Sequence, residues 1–175
     1  MTQVAATLRI LINNFLKVSA MSPNLQAQLL QSYPRFFRAP GLQLAEVETD
    51  GPPEDRLESN EGPFDQHGIE CGDGWYAVVA RLCHACEQEI EALMATGVAQ
   101  TSWPRVAQIK EKAGTLRFYL TGQATETLRA HIQQAEIESR STCEQCGKPG
   151  LLRDGRWRKT QCDACHAAAL GKRSQ

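Results

Sequence analysis

The chain has 175 residues, a formal charge of −1 and seven cysteines. That length suffices for one compact core with a small appendage, and an odd cysteine count fits a reducing cytoplasm better than a disulfide framework. No run of roughly 18 apolar residues is present to span a bilayer, and Arg9, Asn13, Asn14 and Lys17 interrupt the apolar N-terminal stretch too often for an export signal.

Val4, Leu8, Leu11, Phe15 and Val18 recur at spacings of four and three, so residues 1–20 are read as an amphipathic helix. They are an extension if Met21 is the first residue of the ancestral chain. Ser22-Pro23 opens a second helix, with Ser22 as N-cap and Pro23 in the first turn. Leu25, Leu29 and Leu30 carry it to Tyr33-Pro34, and Phe36 and Phe37 follow as core anchors.

Residues 46–66 are acidic, contain Gly51-Pro52-Pro53 and Gly62-Pro63, and show neither helical nor strand periodicity, as in a loop. Between Glu46 and Glu91, thirteen acids face two arginines, whereas from Arg140 to Gln175 eight cations face three acids. Such a basic end permits contact with an anionic partner such as nucleic acid.

A long helix follows, with Asp73 placed to cap it and Trp75, Val79, Leu82, Cys86, Ile90 and Leu93 on its inward face. Gly72 and Gly74 resemble a fragment of a phosphate loop, but no Lys-Ser or Lys-Thr follows and no strand is evident before them. Cys83-His84-Ala85-Cys86 is a Cys-x-x-Cys pair inside this helix. Its cysteines read as buried small hydrophobes, the alternative being a second metal site with Cys71, His67 or His84.

Val106 to Glu111 and Thr115 to Leu120 read as an antiparallel hairpin turning at Ala113-Gly114. A helix from Thr125 to Ser139, with Leu128, Ile132 and Ala135 inward, leads into the last segment. The fold class is α+β: a helical and antiparallel-hairpin core over residues 21–139 and a C-terminal finger over 140–175.

In that finger, two Cys-x-x-Cys pairs, Cys143 with Cys146 and Cys162 with Cys165, are separated by fifteen residues. Four thiolates at this spacing close a tetrahedral shell around one structural Zn2+ per chain. Gly147 sits where the first knuckle needs positive φ. The intervening residues read as a hairpin turning at Asp154-Gly155, and an Ala-rich helix follows, the order found in a treble-clef-like zinc finger. Arg153, Arg156, Trp157, Arg158 and Lys159 form a candidate nucleic-acid-binding surface of cations with one stacking ring. They serve equally as counter-charges to a zinc–thiolate centre of formal charge −2. Lys110, Lys112, Arg117 and Tyr119 extend that surface if the two hairpins share a face.

Tyr33-Pro34 with Phe36-Phe37, Glu70 to Trp75, Gln108 to Lys112 through Gly114, Leu116 to Tyr119, and Cys143-Glu144-x-Cys146-Gly147 together resemble a family of small uncharacterised bacterial and bacteriophage proteins. The likeness covers Ser22 to Ala167, implies a cytoplasmic bacterial or phage protein, and carries no activity.

The expected function is therefore a non-enzymatic, zinc-stabilised nucleic-acid-binding module. A protein-interaction module, such as a phage or host accessory protein, is the alternative. A treble-clef-type nuclease is a third reading, set back by the lack of any histidine between the cysteine pairs; His131 is the nearest upstream candidate. No catalytic residue is assigned.

Overall fold

The computed structural model describes residues 20–37, 64, 68–155 and 157–171. Residues 1–19 of the expected N-terminal helix, and all of the acidic region 46–66 except Phe64, lie outside those residues. The described chain runs α1 (Pro23–Ser32), α2 (Pro34–Phe37), β1 (Ile69–Glu70), α3 (Tyr76–Ala95), β2 (Arg105–Lys112), β3 (Thr115–Thr121), α4 (Glu126–Ser139), β4 (Leu151–Arg153), β5 (Lys159–Gln161) and α5 (Asp163–Gly171). Short 3-10 turns at Asp73–Trp75 and Gln100–Ser102 join them, and the mixture is α+β as expected.

α3 follows its hydrophobic periodicity. Val79, Leu82, Cys86 and Ile90 are all buried, and Trp75, just before the helix, is fully enclosed. Asp73, expected to cap this helix, lies instead in the preceding 3-10 turn. Its Oδ1 accepts from the backbone N–H of Ser22 at 2.6 Å, which ties the start of α1 to the start of α3. Ser22 holds the N-cap position of α1 with Pro23 next, but its side chain makes no capping bond. Thr125 does cap α4, accepting from the Leu128 N–H at 3.2 Å.

The main sheet has the order β1-β2-β3. β2 and β3 pair antiparallel, and β1 pairs parallel to β2 through Ile69 opposite Ile109 and Glu70 opposite Lys110. A strand therefore does precede Gly72, contrary to the sequence reading. Two residues are too few to show an alternating pattern, so β1 is visible only through its partner. The β2–β3 turn takes positive φ at both Ala113 and Gly114, the conformation that twists in register with the strands it joins.

Side chains alternate across the sheet. Ile69, Val106, Ile109, Leu116 and Phe118 lie on the inner face, each at most 5% exposed. Phe36 from α2 stacks on Phe118 at 5.8 Å, and Phe64 meets Phe37 at 5.2 Å. α2 is itself held by the buried Glu87 of α3, whose carboxylate accepts from the Phe36 N–H at 2.9 Å and from Arg35 Nη1 at 3.1 Å. The block Tyr33 to Phe37 is thus a one-turn wedge, positioned by a carboxylate at its N-terminus. α4 closes the inner face with Leu128 and Ala135, and its last residue, Ser139, accepts from the Leu116 N–H at 2.9 Å. No described helix is long and apolar enough to cross a membrane.

Candidate metal centre

The C-terminal segment has almost no hydrophobic interior of its own. Apart from Cys143, every buried apolar residue belongs to the preceding core, and α5 buries none. Leu151, Leu152 and Leu170 are 66%, 40% and 50% exposed. Burial alone therefore cannot hold this segment together.

What it does have is four sulfurs. The Sγ atoms of Cys143, Cys146, Cys162 and Cys165 all lie within 4.8 Å of one another, and those of Cys146 and Cys162 are 3.7 Å apart. A disulfide would require about 2.05 Å. A tetrahedron with metal–sulfur bonds near 2.3 Å has edges of about 3.8 Å, so the spacing fits four ligands around one ion. The group can therefore hold a metal ion, and it is the only such cluster among the described residues.

Local backbone chemistry builds it. Cys143 accepts from the Gly147 N–H at 2.9 Å, and its own N–H donates to the Lys148 carbonyl at 2.8 Å, which closes the first knuckle. Gly147 takes φ +75° there, as its position in the motif requires. The second pair straddles the start of α5, with Cys165 in the first turn and the His166 N–H bonded to the Cys162 carbonyl at 3.0 Å. The Cys165 N–H, and then hydrogen bonds from neighbouring thiols, draw the Cys162 thiol down to about 7 against the opposing effect of burial. Cys162 is thus the more readily ionised of its pair, since burial and then the neighbouring thiols push Cys165 up to about 12.

The finger docks on the core through the block Gly72 to Trp75. The Gly74 N–H donates to the Glu144 carbonyl at 2.8 Å, the Gly72 N–H to Glu144 Oε1 at 3.1 Å, and Trp75 Nε1 to the Thr142 carbonyl at 2.8 Å. A Cβ at Gly74 would overlap the backbone of Cys143, Cys146 and Gly147, and one at Gly72 would overlap that of Glu144. The glycines that resembled a phosphate loop are therefore occupied by the metal knuckle itself. On the other flank, Thr160 is fully buried and donates to the Gly114 carbonyl at 2.6 Å. Lys159 bridges Glu111 at 2.6 Å and Glu144 at 3.0 Å.

These contacts redistribute the expected basic surface. Lys159 is turned into an acidic cleft at the inner side of the core hairpin, and Arg153 donates to the Gln161 carbonyl at 3.1 Å and pairs with Asp163. Arg158 lies 3.5 Å from Asp154, while Trp157 is 66% exposed. Arg156 lies outside the described residues. The hairpin itself is looser than expected: five residues, 154–158, separate β4 from β5 rather than a two-residue turn at Asp154-Gly155.

Cys71, Cys83 and Cys86 are fully buried, and burial pushes all three thiols up, which keeps them neutral. They join no metal cluster among the described residues, and His131 is exposed on α4. Sequence reasoning missed Glu144 and placed Lys159 on the basic surface, not beside it. A charged residue inside each end of the cysteine motif gives no sign of its partner until the fold sets Lys159 between Glu111 and Glu144.

Comparison with protein-family models, curated proteins and solved structures finds no match to this chain. The resemblance drawn from the sequence blocks is not shown by these comparisons.

Proposed function

We propose that the four cysteines hold one structural zinc ion in a treble-clef-like finger, and that the protein is a non-enzymatic, zinc-stabilised nucleic-acid-binding protein. The observation that carries the metal assignment is the four-sulfur cluster within 4.8 Å at the joint of knuckle, hairpin and helix. Soft tetrahedral sulfur sites take zinc or iron, and zinc is the ion whose role is complete with no redox partner. Four thiolates leave no coordination position for water, so the ion orders the chain and does not activate a nucleophile.

The nucleic-acid reading draws its support from the basic C-terminal segment and the exposed Trp157 ring. Of the described candidates, Lys159 and Arg153 are engaged within the protein, which leaves the Trp157 ring and Arg158, the latter 3.5 Å from Asp154. The test is binding of labelled single- and double-stranded oligonucleotides by the zinc-loaded protein across a salt series. Affinity should fall steeply as salt rises, by about 0.7 to 0.9 log units per log unit of salt for each phosphate contact. Salt-independent binding, or none at low salt, contradicts the reading and leaves the protein-interaction alternative.

A further inference from the structure

The three-stranded sheet has two faces of opposite character. Along the register, the inner row Ile69, Ile109 and Phe118 is buried, and the next row, Glu70, Lys110 and Arg117, points the other way. Gln108 opposite Tyr119 and Lys112 opposite Thr115 continue that outer row. None of these outer residues except Glu70 carries negative charge, and none is buried. Among the described residues the helices meet the inner face: α2 through Phe36 and α4 through Leu128 and Ala135.

The residues named set three cations against one acid, and Glu70 already accepts from Gln108 Nε2 at 3.0 Å. Arg117 is 3.7 Å from Glu136, a long pair that an anion can displace. Opposite Gln108 stands Tyr119, 43% exposed, with the Lys110 ammonium 5.6 Å from its ring centre. That contact holds an aromatic plane beside a cation on a rigid strand. Phosphate beside cations and an unpaired base on an aromatic ring are the two contacts that bind single strands. A duplex keeps its bases stacked inside, and an acidic peptide has no base to offer the ring.

We propose that this outer sheet face binds single-stranded nucleic acid, with Tyr119 stacking on a base and Lys110, Lys112 and Arg117 contacting the phosphates. The proposal rests on the nucleic-acid reading above and moves its main contact from the finger to the core hairpin. Of the finger cations, Lys159 faces elsewhere, since it reaches Glu111 on the inner side of the same strand.

The test uses fluorescence anisotropy of a labelled twelve-residue oligothymidine with the full, zinc-loaded chain. Tyr119→Ala should weaken binding about tenfold or more while Tyr119→Phe keeps it, and thermal unfolding should confirm that both variants remain folded. Lys110→Gln with Lys112→Gln should lower the salt slope by about 0.7 for each phosphate contact removed. Duplex DNA and polyglutamate should compete poorly. If the sheet variants bind like wild type while Trp157→Ala abolishes binding, this inference fails and the nucleic-acid reading survives. If polyglutamate competes as well as oligothymidine, or Tyr119→Phe loses as much as Tyr119→Ala, stacking is not the mode and the inference fails. If the wild-type chain binds no oligonucleotide at low salt, both fail together.

Discussion

Replacing Cys143 or Cys162 with serine leaves three sulfurs of a four-sulfur cluster. Structural zinc contributes on the order of 10 to 16 kcal/mol in finger peptides, and the finger's exposed leucines cannot substitute for it. Both variants should lose zinc and become sensitive to proteolysis after Ser139, read by elemental analysis and limited digestion. Cys83→Ala should leave zinc at wild-type stoichiometry, because Cys83 is enclosed in the core away from the cluster. Unchanged zinc in the serine variants, or reduced zinc in the alanine variant, would reverse the assignment. Glu144 gives a pH-dependent test. Burial holds its carboxyl above the usual carboxylate range, and Lys159 only partly offsets this. The folded state therefore favours the protonated form. The group's contribution is greatest below the unfolded value of about 4.3 and is lost as pH rises through the folded value. The urea midpoint of the wild type should fall relative to Glu144→Gln between pH 5 and pH 8. The opposite trend would mean that the attraction of Lys159 outweighs burial.

The finger hairpin and α3 are joined by elements that sequence presents as unrelated. Gly72 and Gly74 lie about seventy residues before the knuckle that fills the space above them, and the reason for both is the missing Cβ. Gly74→Ala should force the knuckle off the start of α3 at a cost of about 1–3 kcal/mol, seen as a lower thermal midpoint and faster zinc loss to a chelator. A variant as stable and as slow to lose metal as wild type would refute the docking. The same elements show what was legible. α3, α4 and the β2–β3 hairpin declare themselves because each buries a regular stripe or alternate row. β1 did not, since a two-residue parallel strand borrows its order from β2. The four-cysteine cluster was legible because covalent spacing near a knuckle is local. The fate of Arg153 and Lys159 was not, because their partners Asp163 and Glu111 are defined by docking rather than by spacing.

Across the described residues, a hydrophobic core and a four-cysteine finger interlock at two places. One is the knuckle against Gly72 to Trp75, and the other is β5 against the β2–β3 turn. Opening the cluster would therefore loosen the entry to α3 as well as the tail. The charge asymmetry of the chain is reshaped by this joint, because Lys159 of the basic end is neutralised by Glu111 and Glu144. Zinc K-edge X-ray absorption on freshly purified protein tests the centre of this account most directly. It predicts one zinc per chain with four sulfur neighbours at about 2.3 Å. Absence of zinc, or a shell in which nitrogen or oxygen replaces sulfur, would contradict it.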